Sequence, residues 1–445
     1  MITKKLDDIR YSKFENSIFV KKNTNFRMLE CSNSRLSSPK AYVISLGCPK
    51  NQVDTESLMT KLAQEGYSFT NNPKQADLIL INTCAFIKSA KEESIDNILE
   101  MAKYKKQGKC KHLIVAGCLP QRYKYELPKL LPEVDAFIGT PTEFSNFEFS
   151  NVQISPPWTA YVKIAEGCNN RCNYCVIPSI RGKLRIRPML GILKEVKALA
   201  KSGVKEIIFV AQDTTVYPQL PKLLKMTAKI KGVSWIRLLY AHPAHVSDAL
   251  IETMANEKKI VKYLDLPIQH VSDKILTSMN RRYMRQDLEN LISKIRRKIP
   301  KIALRTSLLV GFPGEGKQEF QELLAFIKQV KFSRLGVFTY SKEEGTPAYI
   351  MRGQVSEKKK QERLQMIMQA QACIARELNQ ALIGQTLDIL IEGAGQGCFI
   401  GRSYLDAPGI DGTVLVSSKN TIKPGEIVKA KIKRATTYDL IGYQT

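Results

Sequence analysis

The sequence predicts an α/β protein built from three successive parts: a doubly wound parallel sheet, a partial or full (β/α) barrel, and a small β-barrel. Short apolar strands alternate with amphipathic helices in two regions, 41–150 and 155–383, which is the pattern of parallel sheets. The last region, 384–445, has short strands between Gly and Pro turns, as small β-barrels do. Residues 1–40 have no sustained apolar periodicity, and we expect them to form a loose extension.

The composition is that of a folded protein with an acidic partner. The chain has 44% hydrophobic and 25% charged residues, and its formal charge is +26. This charge favours RNA or a ribonucleoprotein surface as the partner, although lysines spread over a solvated surface would give the same total. We expect a cytoplasmic protein without a membrane partner, because no apolar run approaches about 20 residues and the N-terminus resembles neither a secretory signal nor a transit peptide.

The ten cysteines are better explained as metal ligands or reactive thiols than as disulfides, because the expected compartment is reducing. Three of them, Cys48, Cys84 and Cys118, each follow an apolar strand candidate (AYVISL, ADLILINT and HLIVAG). The carboxyl ends of parallel strands meet at one edge of a sheet, so these thiols should converge. A single cysteine is often just a small core residue, but three in the same topological position predict a set of ligands.

A second group, Cys168, Cys172 and Cys175, lies in the run CNNRCNYC at the end of the first barrel strand. Thiolates at such short intervals can hold one iron–sulfur cluster from a single loop. A zinc site would need a fourth ligand, and none follows nearby. Three thiolates leave one iron of a four-iron cluster open, and that iron can chelate the amino and carboxylate groups of S-adenosylmethionine.

The CxxxCxxC spacing, with Tyr174 before the last cysteine, resembles the signature of the radical S-adenosylmethionine superfamily. The resemblance implies that the reduced cluster splits S-adenosylmethionine into a 5′-deoxyadenosyl radical. Tyr174 would place its backbone near the adenine, unless it only packs over the cluster loop. Gln212 and Asp213 are expected to contact S-adenosylmethionine. His242 and His270 also follow strand ends and could equally be structural hydrogen-bonding groups.

The runs SLGCPKNQVDTE, INTCAF, AGCLPQRY and CNNRCNYCVIPSIRG together closely resemble the methylthiotransferases, and the resemblance extends from about Ala41 to Thr445. It implies a radical S-adenosylmethionine barrel, a terminal barrel of the TRAM type, and two four-iron four-sulfur clusters. S-adenosylmethionine would be both methyl donor and radical source. An electron donor and a sulfur source are also implied, and the sequence identifies neither. The implied ligands are Cys48, Cys84 and Cys118 for one cluster, and Cys168, Cys172 and Cys175 for the other.

Two branches of this family differ in substrate. Four runs resemble the branch that modifies the β-carbon of an aspartate of ribosomal protein S-twelve: VAQDTT, RLLYAHP, YLDLPIQH and FTYSKEEGTPA. The other branch modifies an adenosine of transfer RNA and tends to carry arginine where this chain has Glu343 and Glu344. Carboxylates near the site entrance would repel RNA phosphates and attract a basic loop of the ribosomal protein or the small ribosomal subunit.

Two alternatives remain at this point. The charge of +26 favours the transfer-RNA enzyme. A chain whose cysteines hold structural zinc would instead be a non-catalytic protein that binds RNA or the ribosome. The glycine-rich run GFPGEGK at 311–317 resembles a phosphate loop only superficially, because it lacks the GxxxxGK[ST] pattern. We expect its glycines to turn the chain close to the cofactor.

Overall fold

A computed structural model describes residues 19–20, 38–141 and 152–445 of the chain. Most of the predicted loose extension, 1–40, lies outside these residues. Within it, Phe19–Val20 forms a short strand, β1, which pairs antiparallel with Ala136 and Phe137. This backbone pairing places β1 at one edge of the first sheet.

The first domain is the predicted doubly wound sheet, with strand order β1-β6-β5-β4-β2-β3. Strands β2 to β6 run parallel to one another, and helices connect them. The strands are β2 (Lys40–Ser45), β3 (Ser68–Phe69), β4 (Leu78–Thr83), β5 (His112–Gly117) and β6 (Ala136–Ile138). The helices are α1 (Pro49–Gln64), α2 (Lys88–Ala102), α3 (Tyr104–Gln107), α4 (Cys118–Arg122) and α5 (Leu127–Leu130). The central strand β4 is buried throughout, as expected for a parallel strand covered on both faces.

The second domain is a six-stranded parallel sheet with order β14-β13-β12-β11-β10-β7, so the described residues form a partial barrel rather than a full one. Its strands are β7 (Thr159–Lys163), β10 (Glu206–Val210), β11 (Trp235–Leu238), β12 (Ile260–Asp265), β13 (Ala303–Val310) and β14 (Arg334–Thr339), and β8 (Ala165–Glu166) pairs separately with β9 (Arg185–Ile186). Its helices are α6 (Ile177–Arg181), α7 (Met189–Lys201), α8 (Leu220–Ala228), α9 (Asp248–Asn256), α10 (Asp273–Ser278), α11 (Arg285–Lys298) and α12 (Lys317–Val330).

A long helix, α13 (Glu357–Gln380), forms where the charged amphipathic pattern predicts one, between β14 and the first strand of the small barrel. Its N-cap is Ser356, whose hydroxyl accepts the backbone N–H of Lys359. The third domain is the predicted small β-barrel, closed in the order β15-β16-β17-β19-β18. Its strands are β15 (Thr386–Ala394), β16 (Phe399–Ser403), β17 (Val414–Ser417), β18 (Ile427–Ala435) and β19 (Leu440–Gln444). No helix in the described ranges is both long enough and apolar enough to span a membrane.

The small barrel packs against the face of the central sheet that the helices leave uncovered. Apolar side chains of both domains form one core there, including Ile208 and Tyr263 from the sheet and Ile389 from the barrel. Glu206 lies in this contact, fully buried between two arginines. Its carboxylate accepts from Arg237 Nε at 2.8 Å and from Arg402 Nη2 at 2.6 Å. The two domains therefore share a buried ion cluster as well as an apolar core.

We expect Glu206→Gln to destabilise the protein by about 3–5 kcal/mol, because it removes the buried carboxylate that pairs with Arg237 and leaves Arg402 with Glu392 alone. Chemical denaturation of the apo-protein measures this loss. The matched control is Asp388→Asn, which removes an exposed ion pair with Lys429 and should cost at most about 1 kcal/mol. A cost for Glu206→Gln as small as that of the control would contradict this account of the contact.

The same carboxylate predicts a pH dependence. Burial alone raises the pKa of Glu206, but Arg402 and Arg237 outweigh burial and lower that pKa from its usual 4.5 to about 2. Because the folded pKa lies below the unfolded one, the stabilisation is fully present above about pH 4.5 and is lost as the pH falls towards 2. The free energy of unfolding of the apo-protein should therefore fall less steeply over this window in Glu206→Gln than in the unchanged protein.

Candidate active site

Three cysteines, which we call the N-terminal triad, follow neighbouring parallel strands of the first sheet. Cys48 is the N-cap of α1, Cys84 follows β4, and Cys118 begins α4 directly after β5. A Cβ atom built on Gly47 would lie only 2.8 Å from Cys84 Cβ, and Gly47 has a φ of +86°. Glycine is therefore required beside Cys48 for the two loops to approach each other.

The thiols of the N-terminal triad affect one another electrostatically. Burial, together with smaller contributions from the neighbouring Cys118 and Cys48, raises the pKa of Cys84 to about 12. Burial also raises the pKa of Cys118, although the charge of Arg181 opposes this. For Cys48, Lys50 and Arg181 outweigh burial and lower the pKa below its usual range. Metal binding would deprotonate these thiols, and three thiolates at one strand edge would suit a positively charged inorganic core.

The second set, the barrel triad, comprises Cys168, Cys172 and Cys175 on the loop between β8 and α6. Cys168 Sγ accepts the backbone N–H of Asn170 at 3.4 Å, and Cys175 Sγ accepts that of Ile177 at 3.5 Å. Burial raises the pKa of Cys175 to about 12, with a further contribution from Cys172. These thiols also lie close enough together to raise one another's pKa, as ligands of one centre would.

Arg281 and neighbouring backbone groups hold this loop in place. Arg281 Nη1 donates to Cys172 Sγ at 3.5 Å, and its Nη2 donates to the backbone oxygen of Pro267. The Cys168 N–H donates to the oxygen of Gly182 at 3.2 Å. The position of the barrel triad is therefore fixed by contacts to α6 and to the segment after α10.

The sulfurs of each triad are not spaced for a single metal ion. Among the residues that the structure describes, only Asp213, His242 and His245 place three ligand atoms of His, Cys, Asp or Glu all within 4.8 Å of one another. Thiolates around one zinc ion lie about 2.3 Å from the metal, and so about 3.8 Å from each other. At least one pair of sulfurs in each triad is therefore farther apart than two thiolates around one zinc ion.

Asp213, one of the predicted S-adenosylmethionine contacts, is already surrounded by hydrogen-bond partners. Its Oδ2 accepts from Asn170 Nδ2 at 2.9 Å and lies 2.7 Å from His245 Nδ1. Its Oδ1 accepts from the N–H and hydroxyl of Thr215. Burial would raise the pKa of Asp213, but His245 and Thr215 lower it overall. Because Asn170 belongs to the cysteine loop, Asp213 ties that loop to the end of β10.

The other two predicted S-adenosylmethionine contacts, Gln212 and Tyr174, are also held by neighbouring side chains, but Gln212 keeps one polar atom unpaired within the described part of the chain. Gln212 Nε2 donates to Glu166 Oε1 at 2.7 Å, while its own buried Oε1 has no partner among the described residues. The ring of Tyr174 packs edge-on against Phe312, with 6.5 Å between centroids, and its hydroxyl lies 3.5 Å from Arg281 Nη1. Gln212 therefore presents a fixed, unsatisfied acceptor at the strand ends.

Two other predicted positions have structural hydrogen bonds. Burial lowers the pKa of both His242 and His270 to about 3, so both imidazoles are neutral at pH 7. His242 Nδ1 accepts the N–H of Ala244, and His270 Nδ1 accepts that of Ser272.

In the GFPGEGK run, the Glu315 carboxylate accepts the N–H groups of Gly311 and Phe312. Those amides face a carboxylate of their own loop, which rules out the arrangement of a phosphate loop.

A buried ion network, which the sequence analysis missed, joins the first two domains. Lys163 pairs with Asp54 and, at 2.6 Å, with Glu166. Arg181 Nη1 donates to Asp54 at 2.5 Å and to Glu166 at 3.2 Å. The signal available in the sequence was Lys163 itself, a charged residue within the otherwise apolar run AYVKIA. A buried charge of this kind requires a partner, although the sequence does not say which.

The prediction that Glu343 and Glu344 place negative charge near the site entrance was wrong. Glu343 is almost fully buried and pairs with Lys91 at 3.1 Å and with Arg122 at 2.8 Å. Glu344 pairs with Arg122 Nη2 at 2.7 Å. Both carboxylates are neutralised by the first domain, so they connect domains and do not form a negative site entrance. Both cations are about 220 or more residues away along the chain, so no local pattern predicts these ion pairs.

Comparison with known proteins agrees with this architecture. Family models match at residues 40–139 (Uncharacterized protein family UPF0004), 162–327 (Radical SAM superfamily) and 383–444 (TRAM domain). A structure of the radical S-adenosylmethionine methyltransferase TsrM from Kitasatospora setae, with cobalamin and a [4Fe-4S] cluster bound, has a TM-score of 0.53 at 12% identity. It covers 70% of this chain and 74% of its own, and at that identity it supports the fold alone.

Two curated relatives cover nearly the whole chain, and both are called ribosomal protein uS12 methylthiotransferase RimO. The relative from Citrifermentans bemidjiense is 47% identical over 92% of this chain and 99% of its own length. The relative from Clostridium botulinum is 45% identical over 91% of this chain and 97% of its own. The three matched domains, the two cysteine triads and this identity lead to one conclusion: the chain belongs to the ribosomal protein uS12 methylthiotransferase family of radical S-adenosylmethionine enzymes.

Proposed function

We propose that this enzyme inserts a methylthio group at the β-carbon of an aspartate of ribosomal protein uS12. The observation that carries the proposal is the pair of cysteine triads, each at the strand ends of its own parallel sheet, with a buried ion network between them. A single-cluster enzyme would not need the N-terminal triad. The identity of 45–47% to uS12 methylthiotransferases over nearly the whole chain supports this substrate.

The cofactors are two four-iron four-sulfur clusters and S-adenosylmethionine. We propose that the barrel triad holds the cluster that binds S-adenosylmethionine and that the N-terminal triad holds the second cluster. Bound there, these groups would pass on the electron, generate the hydrogen-abstracting radical, hold the sulfur and provide the methyl group of the reaction. The reaction also requires an electron donor and a sulfur source as further partners.

The residues of the chain itself bind and orient S-adenosylmethionine, and they exclude water from the site. Gln212, held by Glu166, offers its unpartnered Oε1 to a donor group of S-adenosylmethionine. Tyr174 contributes backbone next to the adenine, and its ring packs on Phe312. In our proposal Asp213 acts indirectly, by fixing the cysteine loop through Asn170. Such contacts hold reacting groups in register and keep the radical away from solvent.

The charge distribution of the protein does not distinguish a protein substrate from RNA. Glu343 and Glu344 no longer argue against RNA, because both are paired within the protein. The net charge of +26 is compatible with a ribosomal substrate, since ribosomal proteins lie beside RNA. A ribosomal substrate also places the reaction in the cytoplasm.

The product assay tests the substrate directly. Anaerobically reconstituted protein is incubated with S-adenosylmethionine, a reductant, and either small ribosomal subunits or transfer RNA. We expect the mass increment of one methylthio group on uS12 and none on transfer RNA. The increment on transfer RNA alone would assign the chain to the other branch.

Replacing each triad by alanine separates the two proposed clusters. Without the barrel triad, we expect neither reductive cleavage of S-adenosylmethionine nor methylthiolated product. Without the N-terminal triad, 5′-deoxyadenosine should still form while the product is lost. The matched control replaces the three other described cysteines, Cys110, Cys373 and Cys398, and should keep both activities. Cleavage that survives loss of the barrel triad would refute the ligand assignment.

A further inference from the structure

Arg181 belongs to the second domain but lies against the cysteines of the first. It is the last residue of α6, the short helix that follows Cys175 in the chain. Val176 and Ile180, at the two ends of the preceding turn, are buried in the apolar core of the first domain. Helix α6 therefore inserts between the domains, and Arg181, which is 4% exposed, is enclosed at their boundary.

The guanidinium of Arg181 uses its two ends differently. Nη1 donates to the carboxylates of Asp54 and Glu166, at 2.5 Å and 3.2 Å. Nη2 donates to Asn51 Oδ1 at 3.0 Å and to Cys118 Sγ at 3.3 Å. The carboxylates thus hold one end of the rigid fork, and the other end is directed at a sulfur of the N-terminal triad.

We propose that Arg181 is a positioning residue, contributed by the second domain, that sets the reduction potential of the centre on the N-terminal triad. The inference rests on the proposed function, because it takes Cys118 to be a cluster ligand. A cationic donor to a ligand sulfur stabilises the more negatively charged, reduced state, so it raises the potential. The first domain supplies the three thiolates, and the second supplies the charge that tunes them.

The position of Arg181 also links the two triads physically. The N–H of Cys168 donates to the oxygen of Gly182, the residue after Arg181. Glu166, which pairs with Arg181, stands two residues before Cys168. A displacement of the barrel cysteine loop would therefore move the donor of Cys118, so the environment of the N-terminal centre depends on the loop that receives S-adenosylmethionine.

The test uses full-length protein in which the barrel triad is replaced by alanine, so that only the N-terminal centre remains. A redox titration followed by electron paramagnetic resonance gives the midpoint potential of this centre. The potential is compared between the protein that keeps Arg181 and the variants Arg181→Met and Arg181→Lys. We expect the midpoint of Arg181→Met to become more negative, with reduction about tenfold less favourable, or about 59 mV for one electron, because a charge-assisted hydrogen bond is lost. Lysine keeps the charge without the fork and should give a smaller shift in the same direction.

Arg281→Met in the same background is the control. It also removes a buried arginine of the second domain, but its sulfur contact is Cys172, so the N-terminal midpoint should not change. If Arg181→Met cannot hold the cluster, Arg181→Lys decides. An unchanged midpoint in the variants that hold a cluster overturns the inference alone. Failure of any cluster to assemble with Arg181 intact overturns the ligand assignment, and the inference with it.

Discussion

The buried ion network of Asp54, Lys163, Glu166 and Arg181 is the interaction on which the site depends. Two carboxylates and two cations sit in a contact from which water is excluded, with one acid from the first domain and the other three groups from the second. Burying charges is costly unless every one is paired, so only one relative placement of the domains satisfies all four. That placement brings Cys118 of the N-terminal triad into contact with Arg181, which lies six residues after Cys175 of the barrel triad.

Other contacts between the first two domains also stabilise this placement. Lys50, two residues after Cys48, places its ammonium 3.2 Å from the centroid of the Tyr240 ring. Tyr240 follows β11 and has a φ of +63°, which is strained for an aromatic residue. Its N–H donates to Asp265, so the surroundings hold the strained conformation. On another part of the boundary, Glu343 and Glu344 pair with cations of the first domain.

Much of this could be predicted from sequence, because it depends on local rules. Apolar strands alternating with helices predict parallel sheets, and cysteines after three such strands must meet at one edge, as Cys48, Cys84 and Cys118 do. The missed features depend on distant parts of the chain. One of them is whether the central parallel sheet closes into a full barrel, which depends on the elements that pack against its edge strands. Arg181 contacts Asp54, Asn51 and Cys118 only when the two domains are docked. The carboxylates of Glu343 and Glu344 likewise pair with residues of the first domain.

The central claim is that one chain holds two iron–sulfur centres, one on each triad. Iron and acid-labile sulfide counted on the anaerobically reconstituted chain, and on the two triad variants, test it most directly. Two four-iron clusters predict about eight irons and eight sulfides per chain, and about four of each when either triad is replaced. Zinc without sulfide, or an iron content that does not change when one triad is removed, would contradict it.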